Sequence, residues 1–179
     1  KTAMGGRLLR KYIEQPLIDK EKITKRLDAV EELCKNPCER DEIREYLNPV
    51  YDLERLIGKI SFHTVNPRDM IALASSLRMM PPIKTVTGGL SSEALLHISE
   101  CIDGLEDICA LIDDAIIDEP PITIREGGII RDGYDADIDN LRHAKTEGKN
   151  WLADLEAQDR ERTGIKNLKV KYNRVFGYY

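Results

Sequence analysis

Three histidines, four cysteines and 32 carboxylates are the side chains of this 179-residue chain that could transfer protons, bind metal or attack a substrate. Their spacing assembles none of these chemistries. His63, His97 and His143 fall in different segments, and none has a neighbour three or four residues away that would make a metal pair. Cys34 and Cys38 flank Pro37, but no further Cys/His pair completes a zinc site. Cys101 and Cys109 fall in an apolar helical pattern, so all four cysteines read as reduced thiols of an intracellular protein. The carboxylates Asp113-Asp114 and those between Asp135 and Asp139 lack the oxygen spacing, central Gly and closing Glu of a calcium loop. Gly88-Gly89 and Gly127-Gly128 are not followed by the Gly-Lys-Ser/Thr of a phosphate-cradling loop and read as turns. No Ser-His-Asp or Cys-His arrangement is visible. The expectation is a chain without catalysis, metal or cofactor of its own.

One group of side chains does suggest a ligand. Residues 163–179 hold Lys166, Lys169, Lys171 and Arg174 and no Asp or Glu, whereas the chain as a whole carries a net charge of −5. Leu168, Val170 and Tyr172 alternate with Lys169, Lys171 and Asn173, the period of a half-buried strand. Alternation puts both lysines on one face, where they could meet phosphates without reading sequence. An ordinary solvated strand face is the other reading, and the acidic total argues against a dedicated nucleic-acid-binding domain.

The elements that must position this segment read mostly at helical period. Leu8, Leu9, Tyr12 and Ile13 form a short face ended by Pro16; Asp19 caps a stripe of Ile23, Leu27, Val30 and Leu33 ended at Asn36-Pro37. Ile43, Tyr46 and Leu47 follow, then Leu53, Leu56, Ile57 and Ile60. Asn66-Pro67-Arg68-Asp69 has the cap, proline and acid of a helix start, leading to Met70, Leu73, Leu77 and Met80, which Pro81-Pro82 should stop. After a loop through Gly88-Gly89, Ser91 or Ser92 should cap one long helix running from Leu95 through Ile108 and Ile112 to Ile116. Truncating Ile108 or Ile112 to Ala should cost about 2–5 kcal/mol where they are buried. Ile122, Ile124, Ile129 and Ile130 around a Gly-rich turn read as two short strands. Asp135 then caps a charged helix over 136–162 whose apolar residues (Ile138, Leu141, Trp151, Leu152, Leu155) are too sparse for a core helix. It should project into solvent. Thr163-Gly164 ends it, and a hairpin begins whose returning strand, residues 175–179, stops in mid-pattern, as a truncated chain would.

Composition agrees with helices packed on helices: 41% hydrophobic, 33% charged and only 6% aromatic residues leave aliphatic side chains to make the core. No apolar run approaches the ~18 residues of a membrane helix, and no signal peptide is apparent, so a cytoplasmic protein without membrane contact is expected.

Several motifs in order resemble the MutS family. Thr2-Ala3-Met4-Gly5-Gly6-Arg7-Leu8-Leu9-Arg10 resembles its T-A-M-G-x-R-L-L-R opening, followed by Gln15-Pro16-Leu17. Arg26-Leu27-Asp28-Ala29-Val30, Tyr51-Asp52-Leu53-Glu54-Arg55 and Asn66-Pro67-Arg68-Asp69 are similar to its R-x-D-A-V, Y-D-L-E-R and N-P-R-D segments. Residues 124–134 (IREGGIIRDGY) and 161–179 (ERTGIKNLKVKYNRVFGYY) resemble its lever and clamp-entry segments. The resemblance implies a mainly α fold: a multi-helix core bundle (1–135), a projecting lever helix (136–162) and the beginning of a clamp domain (163–179), with a small β element near 122–131. It implies mechanical coupling of a DNA clamp to the core and ATPase, with Lys166, Lys169, Lys171 and Arg174 as non-specific contacts to double-stranded DNA. For the parent protein it implies mismatch binding, ATP and Mg, a homodimer and a MutL-type partner. A free-standing helical protein-interaction module is the alternative, and an enzyme built on the Gly127-Gly128 turn ranks last.

Overall fold

The computed structural model describes the backbone of every residue except Phe176, and the side chains of all but Lys149, Phe176 and Tyr178. The chain forms two compact units, Lys1–Arg131 and Asp132–Tyr179. It is mainly α-helical, as the sequence implied.

In the first unit the helices are α1 (Ala3–Glu14), α2 (Lys20–Lys35), α3 (Pro37–Leu47), α4 (Leu53–Ser61) and α5 (Pro67–Leu77), followed by α6 (Met80–Gly88), α7 (Glu93–Cys101) and α8 (Glu106–Ala115). Most are nine to twelve residues long, short enough that propensity alone would not hold them. Their starts are fixed by side chains that accept the free amides of the first turn. Thr2 Oγ1 accepts from Gly5 N, Asp19 from Glu21 N and Lys22 N, and Asp52 from Arg55 N. Asn66 caps α5 as the sequence indicated, and Asp69, expected there only as a first-turn acid, accepts from Asn66 N and completes a reciprocal capping box.

The core joins α4, α5 and α8 through Leu56, Leu73, Ala74, Leu77, Cys109 and Ile112. Ser76 is fully buried with them on α5, but it is satisfied: its hydroxyl donates to Ala72 O at 2.7 Å and accepts Tyr51 N at 2.9 Å, tying the approach to α4 onto α5. A second layer packs α6 on α7 through small residues. A Cβ on Gly88 would stand 2.9 Å from Ser99 Oγ, which itself donates to Lys84 O.

Three expectations are corrected here. Pro81-Pro82 do not stop a helix; they open α6, at positions where a missing N–H and a fixed φ cost nothing. The long stripe from Leu95 to Ile116 is two helices. The chain leaves α7 at Ile102, Lys84 Nζ donates to the freed Ile102 carbonyl, and Leu105 takes a left-handed conformation before α8. Within the break Gly104 lies against Pro81 at the start of α6, whose Cγ would be 3.0 Å from a Cβ, so a side chain at 104 would be crowded there. After the break Ile112 is buried, while Ile108 and Leu111 face outward. The third concerns the strands expected around Gly127-Gly128. Thr123 and Glu126 cap each other and wind residues Ile124–Glu126 into a 3₁₀ turn, leaving Ile122 and Ile124 exposed. The β contact is instead an isolated bridge between Ile116 and Ile130, flanked by Ile117 N to Ile129 O and Arg131 N to Ala115 O.

α1 buries no residue. Arg7 holds it to the start of α4, donating twice to Asp52 at 2.7 Å and to Glu54 at 3.0 and 2.5 Å, and Arg26 of α2 stacks over Tyr12 at 3.7 Å. The Arg7 hydrogen bonds hold the Asp52 carboxyl down to about 2. A depressed carboxylate contributes stability above its unfolded pKa of about 3.9, and that contribution is lost as pH falls through the folded value.

Two predictions follow from this packing. Ile112→Ala should destabilise the chain by about 2–5 kcal/mol, and Ile108→Ala by less than about 1 kcal/mol, as read from urea midpoints; equal costs would contradict the split helix. The protection of the α1 amides against hydrogen exchange, taken relative to the intrinsic exchange rate at each pH, should be constant from neutral pH to about 5 and fall as pH drops from about 4 toward 2. Arg7→Ala should abolish that acid dependence.

Candidate nucleic-acid interface

In the second unit Asp135 Oδ1 accepts from Asp137 N and Ile138 N and starts α9 (Ala136–Thr163), close to the expected bounds. None of its described residues is buried; Leu141 and Trp151 are well over half exposed. A helix of this kind is carried by local ion pairs, here Arg142 with Asp139 at 3.2 Å, Arg160 with Glu156 at 2.6 Å and Arg162 with Asp159 at 3.0 Å. Gly148, near its middle, has open space where a Cβ would stand. Gly164 ends α9 with φ 71°, its N–H returning to Arg160 O.

The chain then turns, with Leu168 N donating to Ile165 O, and Lys166 sits exposed in that turn. Leu168 and Val170 are half-buried and Lys169 between them is exposed. Arg160 Nε donates to Leu168 O at 2.8 Å, and Val170 N donates to Glu156 Oε1 at 2.8 Å. A short antiparallel hairpin follows, β1 (Tyr172–Asn173) with β2 (Gly177–Tyr178), extended by paired hydrogen bonds between Lys171 and Tyr179. Arg174 lies exposed in its turn. The expected strand from Leu168 is thus shorter: regular pairing begins only at Lys171, and before it the Leu168 carbonyl and the Val170 amide bond to Arg160 and Glu156 of α9 and not to a neighbouring strand. Tyr172 is 65% exposed and does not continue the apolar face. Phe176, in the expected returning strand, lies outside the described residues.

All four cations named from the sequence are exposed, and none carries an ion pair among the described residues. Lys169 and Lys171, two apart, are separated by half-buried Val170. Two features escaped the sequence reading. The Glu156–Arg160 pair was counted among solvated charges, although its i,i+4 spacing was visible. On α7, His97 and Cys101 also stand at i,i+4, with ring nitrogen 3.8 Å from Sγ. The sequence reading found no such neighbour for any histidine, and the pair was visible in the i,i+4 spacing. No group of three or more His, Cys, Asp or Glu that could hold a metal occurs among the described residues.

The family model for MutS domain III matches residues 1–174. The chain belongs to the MutS domain III family. Among its relatives, the "DNA mismatch repair protein MutS" of Lachnoclostridium phytofermentans is 60% identical over the whole chain. Those of Ruminiclostridium cellulolyticum and Caldanaerobacter subterraneus are 57% and 56% identical over 99% of it. The chain spans about a fifth of the length of these relatives, 19% of the first and 20% of the other two. The resemblance of the short motifs therefore extends to the whole of this domain III sequence.

The turn after α9 gives its own prediction. Gly164→Ala should cost about 1–2 kcal/mol, the strain of a left-handed residue bearing a Cβ, measured as a lowered thermal midpoint with helix content retained. An unchanged midpoint would mean that the turn is not fixed at Gly164.

Proposed function

We propose that this domain III chain is the core and lever part of a DNA mismatch-repair protein, coupling a DNA clamp mechanically to core and ATPase. In this reading residues 1–135 are core, 136–162 lever, and 163–179 the beginning of the clamp. Lys166, Lys169, Lys171 and Arg174 contact the backbone of double-stranded DNA without reading its sequence. The observation that carries it is the placement of four exposed cations, without an ion pair among the described residues, on a segment bonded to the end of a 28-residue helix of which no described residue is buried. Such a helix is roughly 42 Å long at 1.5 Å per residue. An element that long, held by its own ion pairs and caps, suits transmission of position between two arrangements better than it suits a core.

The relatives' printed names and the fraction of their length that this chain spans support assigning mismatch recognition to the parent protein. ATP with Mg, a homodimer, a MutL-type partner and a cytoplasmic compartment are what the family resemblance implies for the parent protein. These residues do not themselves fit ATP and Mg. Gly88 closes α6, and Gly127 and Gly128 follow a 3₁₀ turn with positive φ, with no lysine after either pair to hold a phosphate. The alternative, a free-standing helical interaction module, draws on the exposed Leu9, Ile13, Leu27 and Val30 of α1 and α2. It leaves the cationic segment unexplained.

Lys169→Ala and Lys171→Ala should each leave the thermal midpoint unchanged. Each should lower the slope of log K against log salt for duplex DNA by about 0.9, and equally for matched and unrelated sequences. An unaltered slope in both variants would exclude these lysines from the DNA contact.

A further inference from the structure

We infer that Glu156 and Arg160 form a register latch that sets which face of residues 168–171 is turned outward, and are therefore positioning residues for the DNA contact. The inference rests on the reading of Lys169 and Lys171 as phosphate contacts. It begins with a match of two spacings. Residues four apart on a helix are about 6 Å apart along its axis. Two residues of extended chain cover roughly 6.6 Å. Arg160 donates to the Leu168 carbonyl and Glu156 accepts from the Val170 amide, so the later helical residue holds the earlier residue of the returning chain. The chain thus runs back along α9 after the left-handed turn at Gly164, and one helical turn spans one two-residue repeat.

The two side chains complete each other. Arg160 uses Nε on the carbonyl and its terminal amino group on Glu156 Oε2 at 2.6 Å, while Glu156 keeps Oε1 for the Val170 amide. Donor, acceptor and ion pair form one closed network, in which a charged guanidinium and a charged carboxylate each take a backbone group that has no strand partner at that point. Glu156 is the more sheltered of the two, with about a quarter of its side chain accessible. A shift of the segment by one residue would place at the latch the Lys169 carbonyl with the Lys171 amide, or the Asn167 carbonyl with the Lys169 amide. The period of two would then turn Lys169 toward the helix and Leu168 and Val170 toward solvent. Holding Leu168 and Val170 holds Lys169 outward.

This arrangement makes a prediction whose sign separates it from simple electrostatics. Glu156 is an anion close to a cationic segment that should meet phosphates. If it acted only through its charge, Glu156→Ala would tighten DNA binding. If it acts as a latch, the same substitution releases the register and weakens binding, with the salt slope falling by about one unit as a phosphate contact is lost. Glu156→Gln keeps an oxygen for the Val170 amide and should restore most of the affinity despite having the same charge as the Ala variant.

The test measures duplex-DNA affinity against salt for the intact protein and its Glu156→Ala, Glu156→Gln and Lys169→Ala variants, with hydrogen exchange of peptides covering residues 168–171. Expected are faster exchange and weaker binding in Glu156→Ala, and near-native values for both in Glu156→Gln. Unchanged exchange in Glu156→Ala overturns the latch. Faster exchange with equal or tighter binding overturns its positioning role. A Lys169→Ala variant with native slope removes the phosphate reading instead, and leaves the exchange result to decide the latch by itself.

Discussion

Free amides need acceptors, and among the described residues most of the backbone amides that bond to a side chain bond to a carboxylate. Short helices expose four unbonded N–H groups at each start, and a core with little aromatic area cannot hold such helices by burial alone. Asp19, Asp52 and Asp135 accept from the helices they precede. Glu32 of α2 reaches across to accept from Ser91 N at 2.6 Å and Ser92 N at 2.7 Å, so the start of α7 is capped by another helix and not by its own serine. Those amide hydrogen bonds, Ser91 first, keep its carboxyl below the usual range. Glu156 does the same for a segment that is not helical at all. The acidic excess of the composition is in good part the raw material of these caps.

This view also explains what could be read from the residues and what could not. Where donor and acceptor are close in sequence, the element was legible: Asp19, Asn66 and Asp135 mark their helices within a residue or two. Where the deciding partner is remote, it was not. The helical stripe continues through Ile102 and Leu105 without interruption, while the contacts made at the break, Lys84 with the Ile102 carbonyl and Gly104 against Pro81, come from a helix about twenty residues earlier. Pro81-Pro82 read as a stop or a start depending on the side they are approached from, and nothing local chooses between them. At Ile124 a local side-chain network outcompeted the strand that the isoleucine pattern suggested.

The cationic segment was legible by composition and only partly by geometry. Four cations without an acid are visible in any window of the right length, and all four are exposed. The alternation of apolar and charged residues implied a strand partner that the structure does not provide before Lys171. Its place is taken by the last turns of α9, whose Glu and Arg look like ordinary surface charges until the backbone they hold is seen. A charged helix is therefore not only a solubilising one. Its final turns serve as a template for the chain that follows.

Gly148 stands near the middle of α9 with nothing around it that a methyl group would strike. Packing does not require a glycine there, and an interior glycine weakens a helix by roughly 0.5–1 kcal/mol relative to alanine. The cost falls at one place in the interior of α9, none of whose described residues is buried. The helical conformation is thus least favoured by its own residues at a point remote from both caps, where no packing demand accounts for it.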